Sequence, residues 1–351
     1  MKEVKLGHRL VGASHPPFVI AELSGNHGQS YDKAIELVDL AADSGAHAIK
    51  LQTYTPDTIT LNIHEGEFFI SDPNSLWKGI SLYSLYAKAM TPWEWHKDIF
   101  EHAKSKGLIA FSSPFDLTAV EFLESLDVPC YKIASFENTD HGLLEAVAKT
   151  GKPVILSTGM ASQSELAESV EVLRKNGCSE LVLLKCTSNY PARPLDANIR
   201  TIPHLAELFN CPAGLSDHTE GIGVAVASVA LGASVIEKHF VSNRSEGGVD
   251  AEFSLEPFEL KMLVDEARRA YDALGGVFYG CTDKEIVSRK DRRSLYISKD
   301  IKAGEILTKE NLRSVRPGLG LPTKYLPLLL GRKILKDVKK CHKQMKKILI
   351  S

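Results

Sequence analysis

The chain has 351 residues, of which 44% are hydrophobic and 25% charged, an ordinary globular composition long enough for one large domain plus a small one. A formal net charge of −2 gives no general attraction to nucleic acid or anionic lipid, and no apolar run approaches the roughly 20 residues of a membrane-spanning helix. The six cysteines are scattered without a C-x-x-C pair, which argues against a zinc finger or a disulfide framework. The opening MKEVKLGHRL lacks an apolar signal region, so a cytoplasmic protein with reduced thiols is expected.

In chain order, VKLGHRLVG predicts a hairpin turning at Gly7 within residues 1–16, placed to close the bottom of a barrel. Short apolar runs then alternate with amphipathic stretches: FVIAEL (18–23), AHAIKL (46–51), LIAFSS (108–113), PCYKIAS (129–135), PVILST (153–158), LVLLKC (181–186), AGLS (213–216) and SVIEKH (234–239). Helical periodicity fills the intervals, as in YDKAIELVDLAADSGA and SQSELAESVEVLRKNG. Gly45, Gly107, Gly151, Gly177 and Gly232 stand where helix C-terminal caps are wanted. Eight such units, with strands too apolar for strict alternation, predict an α/β fold: a (β/α)8 TIM barrel over residues 1–280. An open doubly wound sheet shares this periodicity, although no G-x-G-x-x-G follows the first strand.

The insert at 52–107 holds all three tryptophans, Trp77, Trp93 and Trp95, and predicts a lid or binding loop. Residues 281–292 read as a polar linker, and 293–351 as a small β-rich domain with a turn at Ala303-Gly304. The closing KDVKKCHKQMKKILIS carries six lysines between Lys336 and Lys347. It reads as a solvated face ahead of a polyanion site.

In a barrel of this type the active site lies at the C-terminal strand ends. Those ends carry Glu22, Lys50 with Gln52, Ser113, Lys132 with Ser135, Ser157 with Thr158, Lys185 with Ser188, Ser216 with Asp217 and His218, and Glu237 with His239. Any one of these is ordinary loop chemistry, but their coincidence on one rim points to a site. His218 and His239, beyond adjacent strands, suit a divalent transition ion such as Mn²⁺ with open positions for water and substrate; the competing reading satisfies both through backbone hydrogen bonds. Lys50 and Lys132, among Ser113, Ser135 and Ser216, suit a cradle for phosphate and carboxylate groups, and either lysine is also a candidate for imine formation with a carbonyl substrate. Glu22 and Glu237 supply acid and base capacity. Alternation along ASVIEKHF sends Glu237 and His239 to one side and Lys238 to the other, where it supports the wall.

The motifs IAELSGNHGQSYDKAIELV, AIKLQTYTPDTITL, LYSLYAKAMTPWEWH, FSSPFD, YKIASFE, STGMA, LKCTSNYPA, GLSDHT, IEKHF and RPGLGL together resemble the sialic acid synthase family over nearly the whole chain. The blocks QTYTPDTITL and TPWEWH favour its pseudaminate branch over the N-acetylneuraminate branch. The resemblance implies a TIM barrel followed by a C-terminal SAF (antifreeze-like) domain, in a homodimer whose small domain covers the neighbour's barrel mouth. It implies condensation of phosphoenolpyruvate with a 6-deoxy diacetamido hexose, 2,4-diacetamido-2,4,6-trideoxy-altrose, giving a nine-carbon 2-keto acid and phosphate by C–O cleavage. It further implies a divalent metal, Mn²⁺ with Mg²⁺ or Co²⁺ as substitutes, on His218 and His239.

By the same resemblance Glu22 orients water, while Lys50, Ser113, Lys132, Ser135 and Ser216 cradle phosphoenolpyruvate. Gln52, Tyr190, Glu237 and Asp250 face the sugar, Asn26 joins the substrate-binding set, and Arg316 reaches in from the neighbouring subunit. Two departures stand out: Ser188 replaces a common Asn of the sialic branch, and the chain end KKCHKQMKKILIS differs from the family's usual last strand. Two rival functions remain defined: a metal-free aldolase-type lyase using Lys132 or Lys50, and a sugar- or ice-binding protein whose barrel is only a scaffold.

Overall fold

A computed structural model describes residues 2–341. They form two compact units that divide between Gly275 and Gly276.

The first unit opens on a hairpin, β1 (Val4–Leu6) against β2 (Arg9–Val11), turning at Gly7 with φ +57°. Eight strands follow: β3 (Phe18–Glu22), β4 (Ala48–Thr53), β5 (Ile109–Pro114), β6 (Tyr131–Ile133), β7 (Val154–Ser157), β8 (Leu181–Cys186), β9 (Ala213–Asp217) and β10 (Val235–His239). All pair in parallel, and β10 pairs with both β9 and β3, so the sheet closes into a barrel and the open-sheet alternative is excluded.

Alternate residues of each strand enter two different cores. Phe18, Ile20, Ala48, Ile109, Phe111, Ile155, Val182, Leu184 and Val235 fill the barrel interior, together with Val4, Leu6 and Val11 of the hairpin. Val19, Ala21, Ile49, Leu51, Ile133, Leu156, Leu183 and Ile236 pack outward on the helices. Burial on both faces is why these strands read as continuous apolar runs. The hairpin plugs the N-terminal end of the barrel, which leaves the opposite end free for polar chemistry.

Helix ends follow local rules. Ser30, Asp116, Asp140 and Ser162 cap helices 31–43, 117–125, 141–149 and 163–175 by accepting backbone N–H groups. Gly45, Gly107, Gly151, Gly177 and Gly232 all adopt positive φ after their helices, and Asp127 (φ +50°) and Asn210 (φ +46°) take that place after two others.

The second unit is a small antiparallel sheet with β11 (Ser294–Ile297) between β12 (Leu312–Val315) and β13 (Leu321–Pro322). Its core is Leu295, Ile297, Ile301, Leu307, Leu312, Leu329, Ile334 and Val338. The stretch read as a linker contains a short helix, Asp283–Ser288. Of the lysine-rich tail, Lys339 pairs with Asp300 at 2.8 Å; residues from 342 onward, and with them the unusual ending, lie outside the described residues.

Candidate active site

Parallel register places the polar strand ends side by side. His239 stands beside Glu22, Glu22 beside Lys50, Gln52 beside Ser113, and Glu237 beside Ser216. Glu22, Lys50, Ser113, Lys132, Ser135, Ser216, His218, Glu237 and His239 are all buried, in contrast to the usual exposure of such side chains.

Two lysines and two glutamates form the centre. Lys50 Nζ lies 2.6 Å from Glu22 Oε2 and 3.6 Å from Glu237 Oε1, and Lys132 Nζ lies 3.5 Å from that same Glu237 oxygen. Lys50 also donates to Ser113 Oγ at 3.3 Å, and Ser216 Oγ donates to Glu237 Oε1 at 3.2 Å. Gln52 Nε2 and the Ser24 amide donate to Glu22 Oε1 at 3.0 and 3.1 Å.

The environments push these groups apart. Burial raises the Glu22 pKa despite Lys50, whereas Lys132 and Lys50 overcome burial at Glu237 and lower its value. Burial lowers Lys132, and at Lys50 the two carboxylates outweigh burial and raise it. Burial and the lysines thereby push the two carboxyl groups in opposite directions.

Ser135 belongs to a second cluster, where its Oγ accepts the Gly159 amide at 3.2 Å. A Cβ on Gly159 would fall 2.2 Å from Ser188 Oγ and 2.6 Å from Ser135 Oγ. The glycine therefore keeps two hydroxyls facing a common space. Lys185 turns away, donating to the Cys186 carbonyl at 2.7 Å.

The imidazoles of His218 and His239 have ring centroids 5.2 Å apart. His218 Nδ1 donates to the Thr187 carbonyl at 2.9 Å, which fixes the orientation of this ring. His239 Nδ1 is buried without a hydrogen-bond partner, 3.5 Å from Asp250 Oδ2, and burial holds this imidazole neutral. One oriented imidazole and one with an unsatisfied nitrogen fit a divalent ion. Among the described residues no three His, Cys, Asp or Glu side chains form a metal cage.

Lys238 points out of the barrel as alternation requires, pairing with Asp217 at 3.2 Å and donating to the Thr219 carbonyl. Asn26 is engaged by the protein itself: Nδ2 donates to Phe240 O and Ser254 Oγ, both at 2.9 Å, and Oδ1 accepts the Asp250 amide at 3.2 Å. It acts as a strut that fixes the loop carrying Asp250. Tyr190 lies 4.5 Å from the His218 ring, at the mouth. Arg316 is exposed in the second unit, directly after β12.

The insert is divided in function. Trp93 stacks on Phe122 at 4.6 Å and Trp95 meets His27 and Tyr31 edge-on, so both pack the barrel wall. Trp77 reaches the mouth, 5.7 Å from Tyr190.

Sequence reasoning missed several neighbours. Glu137 has a buried Oε2 without a partner, and burial lifts its pKa to about 7 against the pull of Lys132. Cys186 Sγ sits 3.8 Å from His218 Nδ1, and Phe253 packs 4.9 Å from the His239 ring. Glu137 carried a usable signal: a carboxylate two residues after Ser135 on the same rim.

A closed parallel barrel with paired lysines, paired carboxylates and two imidazoles at its C-terminal mouth has the layout of a (β/α)8 enzyme. Residues 37–279 match the NeuB family and 292–340 the SAF domain. The chain is 47% identical to pseudaminic acid synthase of Campylobacter jejuni subsp. jejuni serotype O:2, over 92% of this chain and 93% of that protein. It is 36% identical to N,N'-diacetyllegionaminic acid synthase of the same organism, over 92% and 96% of the two chains. The crystal structure of N-acetylneuraminic acid synthetase from Leptospira borgpetersenii serovar Hardjo-bovis, in complex with citrate, superposes with a TM-score of 0.72 at 34% identity, over 82% of this chain and 95% of that one. The chain belongs to the NeuB family, a family of synthase enzymes, and carries a SAF domain after its barrel. No helix among the described residues is long and apolar enough to cross a membrane.

Proposed function

We propose that the chain is a pseudaminic acid synthase, condensing phosphoenolpyruvate with 2,4-diacetamido-2,4,6-trideoxy-altrose and water to give pseudaminic acid and phosphate. The observation that carries this reading is the buried pair Lys50 and Lys132, bridged by Glu237 at 3.6 and 3.5 Å, with the Ser113 hydroxyl on Lys50 and the Ser216 hydroxyl on Glu237. Two buried lysines with hydroxyl neighbours favour a reactant with a phosphate and a carboxylate, because fixed charges there need no reorganisation during reaction. The higher identity to the pseudaminate synthase than to the legionaminate synthase, 47% against 36%, supports the choice of sugar.

On this reading Lys50 and Lys132 hold the phosphate and carboxylate, and C3 of phosphoenolpyruvate attacks the aldehyde carbon of the open-chain sugar. Water then adds at C2, and the C2–O bond to phosphate breaks, so phosphate leaves with the bridging oxygen. Glu22, held by Gln52 and the Ser24 amide, orients water; Gln52, Tyr190, Glu237 and Asp250 hold the sugar. His218 and His239 would hold a divalent ion, most suitably Mn²⁺, which when bound supplies Lewis-acid polarisation of the aldehyde oxygen. A homodimer brings the partner's Arg316 to the sugar.

The test is phosphate release from phosphoenolpyruvate across altro, manno and gluco isomers of the diacetamido sugar and across monoacetamido hexoses. The altro isomer is expected to give the highest kcat/KM. Preference for another isomer would reassign the sugar, and borohydride trapping of an imine on Lys132 would replace the mechanism.

A further inference from the structure

The mouth carries an aromatic wall whose open end has no role in the condensation chemistry. Phe253 lies 4.9 Å from His239, Tyr190 lies 5.3 Å from Phe253 and 4.5 Å from His218, and Trp77 lies 5.7 Å from Tyr190 with the rings tilted by 51°. Phe253 is buried, while Tyr190 and Trp77 are half-buried, so ring surface remains for a ligand at the Trp77 end. The indole is not loose. Its N–H donates to the Val249 carbonyl at 2.8 Å, beside Asp250, tying the insert to the loop after β10.

On the synthase reading, an acceptor sugar with its aldehyde at the imidazoles would run along this wall toward Trp77. Apolar C–H groups on an aromatic face gain contact that hydroxyl groups do not, since a hydroxyl facing a ring loses water without a hydrogen-bond partner. We propose that Trp77 is a specificity-determining residue, its indole, with Tyr190, forming a platform for the C4–C6 end of the sugar that favours a deoxy methyl and an acetamido group over free hydroxyls. The inference rests on the synthase reading and deepens it by placing discrimination against hydroxylated hexoses on one ring.

The experiment measures kcat/KM for the full-length protein and its Trp77→Phe and Trp77→Ala variants. The substrates are the diacetamido trideoxy hexose and a monoacetamido hexose that retains its 6-hydroxyl, with the KM for phosphoenolpyruvate followed in parallel. Apolar contacts of this size discriminate by about 10- to 200-fold. Trp77→Ala is expected to shrink the ratio of the two kcat/KM values by about tenfold or more, chiefly through KM for the deoxy sugar, with Trp77→Phe recovering most of the ratio. Equal losses on both sugars, or a raised KM for phosphoenolpyruvate alone, would show that Trp77 only shapes the mouth and would overturn the proposal. Failure of the wild-type protein to turn over either sugar is a separate outcome: it removes the synthase reading, and this proposal with it.

Discussion

Gly159 is a backbone position that exists for the sake of its neighbours. A methyl there would lie 2.2 Å from Ser188 Oγ and 2.6 Å from Ser135 Oγ, and hydroxyls give way more readily than backbone. Gly159→Ala should therefore act on binding before stability. An overpacking cost of about 1–3 kcal/mol placed on the bound state raises the KM for phosphoenolpyruvate by about 5- to 150-fold. Steady-state kinetics at saturating sugar measures this, and an unchanged KM would place Ser135 outside the cradle. Which residues meet at the mouth was legible wherever a strand end declared it: Glu22, Lys50, Lys132, Glu237 and His239 follow apolar runs directly. The partners of Asn26 and Trp77 were not legible, because Phe240 and Val249 lie 214 and 172 positions away. No local pattern encodes such a pairing. The outward turn of Lys238 was legible because alternation along a strand is local.

At the scale of elements, three histidines hold barrel segments together in their neutral form. His47 Nδ1 accepts the Val19 amide at 2.8 Å, and His27 Nδ1 accepts the Gln29 amide at 3.2 Å. His96 is fully buried, with Nε2 2.9 Å from Thr53 Oγ1. Burial lowers each from 6.5 to about 4, with Arg9 adding to the effect at His47. Between those values the unfolded chain binds more protons than the folded one, so stability is fully present above pH 6.5 and falls as pH drops toward 4. The loss is about 2 kcal/mol per histidine at pH 5 and about 3 kcal/mol below pH 4. Urea unfolding of the full chain at pH 7 and pH 5 should show the decline; equal unfolding free energies at the two values would contradict it. The eight strands themselves were legible because burial on both faces leaves a distinctive apolar run. The insert was harder: its short helices at 56–59 and 82–89 share no single periodicity, and only tertiary packing separates Trp93 and Trp95 from Trp77.

For the whole molecule, the proposed dimer makes Arg316 and the histidine pair parts of one site drawn from two chains. Arg316→Ala and His218→Ala proteins should each be impaired alone. After subunit exchange, half of the dimers are mixed and each holds one complete site, so about a quarter of wild-type activity returns. No recovery on mixing, with exchange verified by mass, would contradict a role for Arg316 in trans. Metal-assisted condensation at the barrel mouth is tested most directly by following phosphate release when the full-length protein meets phosphoenolpyruvate and 2,4-diacetamido-2,4,6-trideoxy-altrose, before and after chelation and after Mn²⁺ is restored. Release should require both substrates, stop with chelator, return with Mn²⁺, and be absent in His218→Ala and His239→Ala variants that remain folded; full activity in chelator, or in either variant, would show that no metal on these histidines takes part.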